Sequence, residues 1–167
     1  MVSIARLFEA DRPALRQFWI EHWGADFMLA SGRIFRPDEM DGFIAREGNE
    51  WVGLVTFYCE AYTCEITSLD SLHPRQGLGT ALLDATAKAA RQFGCRKLKL
   101  ITTNDNTPAL RFYQKYGFEL VALHRQAVNE SRKRKPSIPE LGLDGIPIRD
   151  EIELELHLAP PNPDLCT

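Results

Sequence analysis

The sequence predicts a mixed α/β domain with a central, mostly antiparallel sheet and helices on both faces. Three observations carry this expectation. Between residues 42 and 72, three short runs rich in β-branched and aromatic residues follow one another, separated by turn chemistry, which is the pattern of an antiparallel meander. A strand pattern, a glycine-containing turn, a helical pattern and another strand pattern come next, and that order is a βαβ unit with two parallel strands. Residues 151–158 (EIELELHL) alternate strictly, with Ile152, Leu154, Leu156 and Leu158 on one face.

The chain has 167 residues, 44% hydrophobic and 26% charged, which predicts a single compact domain over 1–158 and a flexible tail over 159–167, where Pro160, Pro161 and Pro163 cluster. Twenty basic against twenty-three acidic residues give a net charge of −3, so a protein that coats nucleic acid is disfavoured. No apolar run approaches the roughly 20 residues that span a bilayer, and the start lacks the basic and apolar regions of a secretion signal. A cytoplasmic protein with no membrane partner is the expectation. Cysteines stand at 59, 64, 95 and 166 without a CxxC pair, so neither zinc nor any other metal is expected. The thiols are expected to be reduced, with Cys64 and Cys95 as small buried residues in unreactive surroundings.

Each element has its own signal. Residues 3–8 alternate weakly and form an expected first strand. Asp11 reads as a helix cap with Pro13 in the first turn, and the helix runs to about Trp23 and stops at Gly24. Its apolar side carries Leu15, Phe18, Trp19 and Trp23. Residues 25–40 read as a short helix and a loop. Strands follow at 42–46, 51–59 (WVGLVTFYC) and 65–72, the first two joined by a Glu-Gly-Asn turn. Over 81–93, preceded by Leu78, a helix places Leu78, Leu82, Ala85, Ala89 and Phe93 on one face and ends at Gly94. Residues 97–103 (KLKLITT) are a strand. Thr107 as cap and Pro108 at the first position open a short helix that ends at Gly117. Residues 118–123 are a strand, and 125–149 a long polar loop.

The glycine turn before the helix carries chemistry. Glycines let the chain bend tightly and let a ligand approach the backbone, and the helix start adds partial positive charge, so a phosphate or pyrophosphate fits there. A Gly-x-Gly connection also serves as a plain tight turn. There is no G-x-x-x-x-G-K-[ST], which excludes a P-loop, and no complete G-x-G-x-x-G, so a dinucleotide fingerprint fits poorly.

Two strings act together. Gln76-Gly77-Leu78-Gly79-Thr80-Ala81-Leu82-Leu83, followed by a helix, a strand and Asn106-Thr107-Pro108-Ala109-Leu110-Arg111-Phe112-Tyr113-Gln114-Lys115-Tyr116-Gly117-Phe118, resembles the GNAT superfamily of N-acetyltransferases. The first string is similar to that family's acyl-CoA pyrophosphate loop, [QR]-x-x-G-x-[GA], and the second to its N-x-x-A-x-x-F-Y-x-x-x-G-F signature. The match covers roughly residues 43–123. The family's leading Gln or Arg falls on Pro74, and the connection from the strand to Gly77 is shortened, so that Arg75 or Gln76 would take over that contact.

The resemblance implies a GNAT-like acyl-CoA N-acyltransferase fold in which the parallel strands at 65–72 and 97–103 splay apart. The pantetheine arm of acetyl-CoA would pair with the first strand around 69–72, ending at Leu72, and pass Asn106. The diphosphate would lie on Gln76, Gly77, Leu78, Gly79 and Thr80, with Arg75 at the rim. The implied activity is acetyl-CoA-dependent transfer of an acetyl group to a primary amine, borne by a small molecule or a peptide. The amine attacks the thioester directly, which calls for a base, donors to an oxyanion and a proton for the leaving sulfur. The resemblance assigns the proton to Tyr113, whose hydroxyl ordinarily titrates near pH 10 and so stays protonated at neutral pH, and places Tyr113 against the cofactor; ordinary packing on the sheet is the other reading of this aromatic. Glu65 resembles the family's base, with Asp70 a second candidate on the opposite strand face by the period of two. A backbone N–H near Leu72 would serve the oxyanion. Asn106 reads equally well as a helix cap.

A non-catalytic acyl-CoA sensor or interaction module on the same fold is the alternative. The basic run Arg132-Lys133-Arg134-Lys135 reads as a solvated loop face, a nucleic-acid patch or part of a flap over the acceptor. His22, Trp23, Asp26 and Arg33 fall where the family builds its acceptor pocket, and His73 adjoins the glycine turn. The last strand, 151–158, offers an edge for a homodimer.

Overall fold

The structure, a computed structural model, describes residues 1–73 and 76–160. In chain order its elements are β1 (Val2–Arg6), α1 (Arg12–Trp23), β2 (Met28–Ala30), β3 (Arg33–Phe35), β4 (Asp41–Glu47), β5 (Glu50–Glu60), β6 (Thr63–Ser71), α2 (Leu78–Gln92), β7 (Lys97–Thr103), α3 (Thr107–Tyr116), β8 (Glu119–His124), α4 (Ala127–Arg134) and β9 (Glu151–His157). The fold is mixed α/β, with a central, mostly antiparallel sheet that includes parallel strands and is flanked by helices. Among the described residues no helix is long and apolar enough to cross a membrane. The described residues group into two compact units, one within Met1–Glu9, Met40–Lys99 and Leu156–Thr167, the other within Ala10–Glu39 and Leu100–Glu155.

In the first unit β1, β4, β5 and β6 are antiparallel neighbours in that order, and the start of β7 follows β6. Ile44, Leu54, Phe57, Leu82, Leu83 and Leu98 are sealed from solvent. A Cβ on Gly53 would stand 3.2 Å from Leu82 Cδ1 and 3.2 Å from the Asp70 carbonyl oxygen, so glycine lets α2 pack this closely on β5. The buried face of α2 is Leu78, Leu82, Leu83, Thr86, Ala87 and Ala90. That face is rotated from the expected one: the helix ends at Gln92, and Phe93 leaves it to lie half-exposed under the Arg6 guanidinium.

A bulge in β6 changes the reading of its carboxylates. Thr56 of β5 pairs with Ser68, while Phe57 pairs with Ile66, which leaves Thr67 as an extra residue. Thr56 Oγ1 lies 2.8 Å from Thr67 Oγ1 and 2.6 Å from Ser68 Oγ, so both neighbours point to the side of Thr56. Glu65 opposes Tyr58 and Asp70 opposes Leu54, and positions 54, 56 and 58 share one face. Glu65 and Asp70 therefore lie on the same face, contrary to the period of two, because the bulge adds one residue between them.

In the second unit α1 ends as expected, with Gly24 at φ 76° and its N–H on the Ile20 carbonyl at 3.1 Å. Asp11 does not cap it. It sits in helical geometry at the end of a 3₁₀ turn, and its side chain makes no capping bond. Residues 25–40 hold a short 3₁₀ helix at Pro37–Glu39, but in place of the expected loop β2 and β3 form a hairpin turning at Ser31 and Gly32, both at positive φ, with Met28 and Phe35 buried. Thr107 does not cap α3 either; the Asn106 side chain takes that role. The end of β7 is followed by β9 and β8, which are antiparallel.

The expected loop over 125–149 holds α4 and a 3₁₀ turn at Leu143–Gly145. It is tied to the residues just after β7. Asn104 Oδ1 accepts from the N–H groups of Arg149 and Asp150, and its Nδ2 donates to the Pro147 carbonyl. Asp105, 5% exposed, accepts from Thr103 Oγ1 at 2.5 Å and from the Leu143 N–H at 3.1 Å. The basic run is engaged within this segment and with Phe27 and Gly32. Arg132 donates to the carbonyls of Ile138, Pro139 and Ile148 and to Asn129, Lys133 pairs with Glu130, Arg134 donates to the Gly32 carbonyl, and buried Lys135 lies over the Phe27 ring. Burial lowers the Lys135 pKa. These four cations are thus largely engaged at home, which argues against a nucleic-acid patch.

Candidate active site

The candidate residues fall in both units. In the first unit, Gly77 opens α2 at φ 74°, ψ 8°, a left-handed conformation that glycine adopts without penalty. Among the described residues a Cβ on Gly77 would meet nothing within 4 Å, so they leave the space over this bend open. No described side chain caps the helix start. The first N–H groups of a helix have no partner within it, and they carry its positive end. Gln76, Gly77 and Thr80 are exposed, Gly79 is half-buried and Leu78 is anchored in the core. The bend therefore suits a multiply charged oxyanion such as a diphosphate, held through the backbone. Arg75, and Pro74 where the family pattern departs, lie outside the described residues.

β6 leads to this bend. Leu72 is 41% exposed, but its N–H donates to the Val52 carbonyl at 2.9 Å. That hydrogen faces β5 and is engaged, so the Leu72 N–H itself is not a free donor for an oxyanion. Glu65, half-buried, has its Oε1 sealed from solvent and shares its face with Asp70. His73 is exposed, and its carbonyl accepts from Ser71 Oγ.

In the second unit, Asn106 Oδ1 accepts from the Ala109 N–H at 3.3 Å and so caps α3. Pro108 stands in the first turn, and Gly117 turns the chain out, its N–H on the Tyr113 carbonyl at 3.1 Å. Tyr113 is the one fully buried residue of α3, at 8% exposure. Its ring meets Phe112 and Phe118 edge-on, with centroids 5.3 and 5.5 Å away. Two edge contacts fix the ring plane, which holds the phenol in one direction. Of the adjacent pair, Tyr113 is buried and Phe112 only half so.

The same unit holds a cavity of about 460 Å³ lined by Ser31, His124, Glu130, Arg134 and Glu151, among others. Glu151 is 4% exposed and accepts from the Ser31 N–H at 3.2 Å. Of the residues expected near an acceptor, His22 stacks on Phe18, Arg33 lies over the Phe35 ring, and Trp23 and Asp26 are exposed. Sequence reasoning missed Asn104 and Asp105 as anchors of the segment that follows α3. The cluster Asn-Asp-Asn-Thr-Pro was the available signal, since such side chains bond to nearby backbone.

Comparison with known proteins identifies the family and the fold. The model of the acetyltransferase (GNAT) family matches residues 4–118, well over half of the chain. The uncharacterized protein YxbD of Bacillus subtilis (strain 168) is 47% identical over 158 residues, which cover 94% of this chain and 99% of that protein. An IAA acetyltransferase from Bacillus cereus ATCC 14579 superposes with a TM-score of 0.70 at 21% identity, covering 95% of this chain and all of the other. A GNAT family acetyltransferase from Elizabethkingia anophelis, solved with acetyl-CoA bound, gives 0.66 at 23% identity, covering 94% and 98%. At these identities the two structures establish the shared fold, and the matching family model establishes kinship: this chain belongs to the GNAT acetyltransferase family.

Proposed function

We propose that the protein is an acetyl-CoA-dependent N-acetyltransferase acting on a primary amine, with residues 1–158 working as one catalytic domain. The observation that carries this reading is the bend at Gly77: left-handed and, among the described residues, open on the side a Cβ would occupy and set at a helix start that no side chain caps. Membership of the family and its acetyl-CoA-bound neighbour support the choice of donor.

When bound, acetyl-CoA supplies an activated acetyl thioester. The backbone N–H groups of residues 77–80 hold its diphosphate, with Gln76 at the rim. The end of β6, around 69–72, offers backbone to the pantetheine arm, and Asn106 borders it. Tyr113, with its ring fixed by Phe112 and Phe118, holds a proton for the departing sulfur. Glu65 takes the proton from the acceptor's ammonium group, and Asp70 on the same face stands second in line. Glu65 has one carboxylate oxygen sealed from solvent, and a carboxylate is a group type that serves as general base.

Isothermal titration with acetyl-CoA tests binding, and thiol release across a panel of small and peptide amines tests turnover. Tight binding with turnover of at least one amine is the expected result. No binding at millimolar acetyl-CoA would overturn the proposal, and binding without turnover across the panel would reassign the protein as an acyl-CoA sensor.

A further inference from the structure

The first unit gathers three of its cysteines at the tip of the β5–β6 hairpin. Cys59 and Cys64 are direct cross-strand partners. Between them the chain turns on Ala61 (φ 47°) and Tyr62 (φ 66°), a two-residue turn closed by the pair Glu60 and Thr63. The closing pair of such a turn is hydrogen-bonded, and bonded and non-bonded pairs alternate along an antiparallel ladder. Cys59 and Cys64 are therefore a non-hydrogen-bonded pair, whose Cα atoms typically stand about 4.5 Å apart with side chains on one face. That lies within the roughly 4.4–6.8 Å that a disulfide spans.

The third thiol arrives from α2. The Cys95 N–H donates to the Ala90 carbonyl at 2.9 Å, and the Arg96 N–H donates to the Tyr62 carbonyl at 2.7 Å. The Arg96 guanidinium also lies 5.0 Å from the centre of the Tyr62 ring. These contacts hold two non-glycine residues in left-handed geometry and bring Cys95 beside the pair. Cys64 is 0% and Cys95 8% exposed, whereas Cys59 is only half-buried. Cys59 has the thiols of Cys64 and Cys95 as neighbours. The Cys64 contact is the larger influence, and it brings the Cys59 pKa down to about 7, against burial and the nearby Asp41 carboxylate. Asp41 is itself paired with Arg6 at 3.2 Å. Cys64 is pushed upward by its neighbour Cys59 and by burial, and Cys95 is raised to about 12, chiefly by burial. Cys64 and Cys95 are buried, as expected, and what the sequence did not show is that both lie beside the more open Cys59.

We propose that Cys59 is an oxidation site for hydroperoxides and that it closes a reversible disulfide with Cys64 across the hairpin. In the first step the Cys59 thiolate attacks one peroxide oxygen, the O–O bond breaks, and the departing oxygen takes a proton. Cys59 becomes a sulfenic acid, oxidised by two electrons, and the hydroperoxide is reduced by two to water or an alcohol. In the second step the Cys64 sulfur attacks the Cys59 sulfur, the S–O bond breaks, and hydroxide leaves with the Cys64 proton as water. A small thiol reverses the reaction by exchange. Only Cys59 of the three is open enough to meet the oxidant, and Cys64 is its direct cross-strand partner.

The test uses the full reduced chain, hydrogen peroxide at stoichiometric dose, alkylation of remaining thiols and mass spectrometry. Expected is a protein lighter by two hydrogens, with Cys59 and Cys64 shielded from alkylation. Cleavage after Glu60 should leave the two halves joined until a thiol is added. Cys64→Ser should trap Cys59 as a sulfenic acid that reacts with dimedone. Should that variant not fold, the map of the unsubstituted chain decides alone. Oxygen added to Cys59 while Cys64 remains alkylatable would overturn the proposal. So would a bridge from Cys59 to Cys95, or a Cys59 no faster than a thiol of the unfolded chain. These readouts concern sulfur and are independent of acetyl transfer.

Discussion

Gly142 and Asp105 offer a quantitative test of how the segment after α3 is anchored. A Cβ added to Gly142 would stand 2.0 Å from Asp105 Oδ2, 2.6 Å from its Cγ and 2.8 Å from Ile148 Cγ1. To reach ordinary contact the carboxylate must retreat by more than 1 Å, which breaks its bond from the Leu143 N–H and distorts that from Thr103. A hydrogen bond to a charged group contributes about 1.5–3 kcal/mol, so Gly142→Ala should cost about 2–4 kcal/mol. Asp105→Ala removes the same two bonds and should cost a similar amount. With the carboxylate gone, only the Ile148 contact opposes the new methyl, and crowding of about 1–3 kcal/mol is partly offset by about 0.4–1 kcal/mol from a less flexible unfolded chain. The double variant should therefore be about 1–3 kcal/mol more stable than the sum of the single changes implies. Urea unfolding of the four proteins, with m unchanged, measures this cycle. Additivity within about 0.5 kcal/mol would refute the claim that both substitutions act on one carboxylate.

Other outcomes follow from the site and its supports. Gly77→Ala meets no atom but must hold positive φ, so stability should fall by about 1 kcal/mol while the dissociation constant for acetyl-CoA rises about tenfold or more; calorimetry reads the second and urea unfolding the first. Tyr113→Phe keeps the ring contacts and should lower kcat with little change in cofactor affinity; an unchanged rate removes Tyr113 from the proton-donating role. The Gln126 N–H, and then Arg149, lower the Asp150 carboxyl pKa, so this group adds stability that is present above the unfolded carboxyl pKa of about 4 and is lost as pH falls through the lower folded value. Thermal unfolding of Asp150→Asn against the parent should then show a gap at pH 7 that narrows below about pH 4. Iodoacetamide should label Cys59 with a midpoint near pH 7, far ahead of Cys64.

Local chemistry was legible wherever one short stretch held the whole cause. The alternation of residues 151–158 makes β9 with Leu154 sealed inside, and Asn106 to Gly117 carries its own cap, first-turn proline and stop. The left-handed bend at Gly77 was likewise announced by its glycines. Where a residue depends on a partner far along the chain, the sequence was silent. The side of β6 on which Asp70 falls is decided by the bulge opposite Thr56. The helix in 127–134 has few apolar residues; Arg132 ties it to the carbonyls of Ile138, Pro139 and Ile148. The hairpin at 28–35 is stabilised by burying Met28 and Phe35, which no local periodicity reveals.

By itself, then, the sequence determined the order of the strands and helices outside 25–40 and 125–149, because backbone preferences and side-chain periodicity act over a few residues. It also determined the family, because both signature strings are contiguous. Tertiary structure alone decided which distant side chains meet: Asp105 with the backbone at Leu143, Glu65 and Asp70 on one strand face, and Cys95 with the Cys59–Cys64 pair. Those meetings depend on strand register and chain return, which are set by burying apolar surface across the molecule and leave no trace in local spacing.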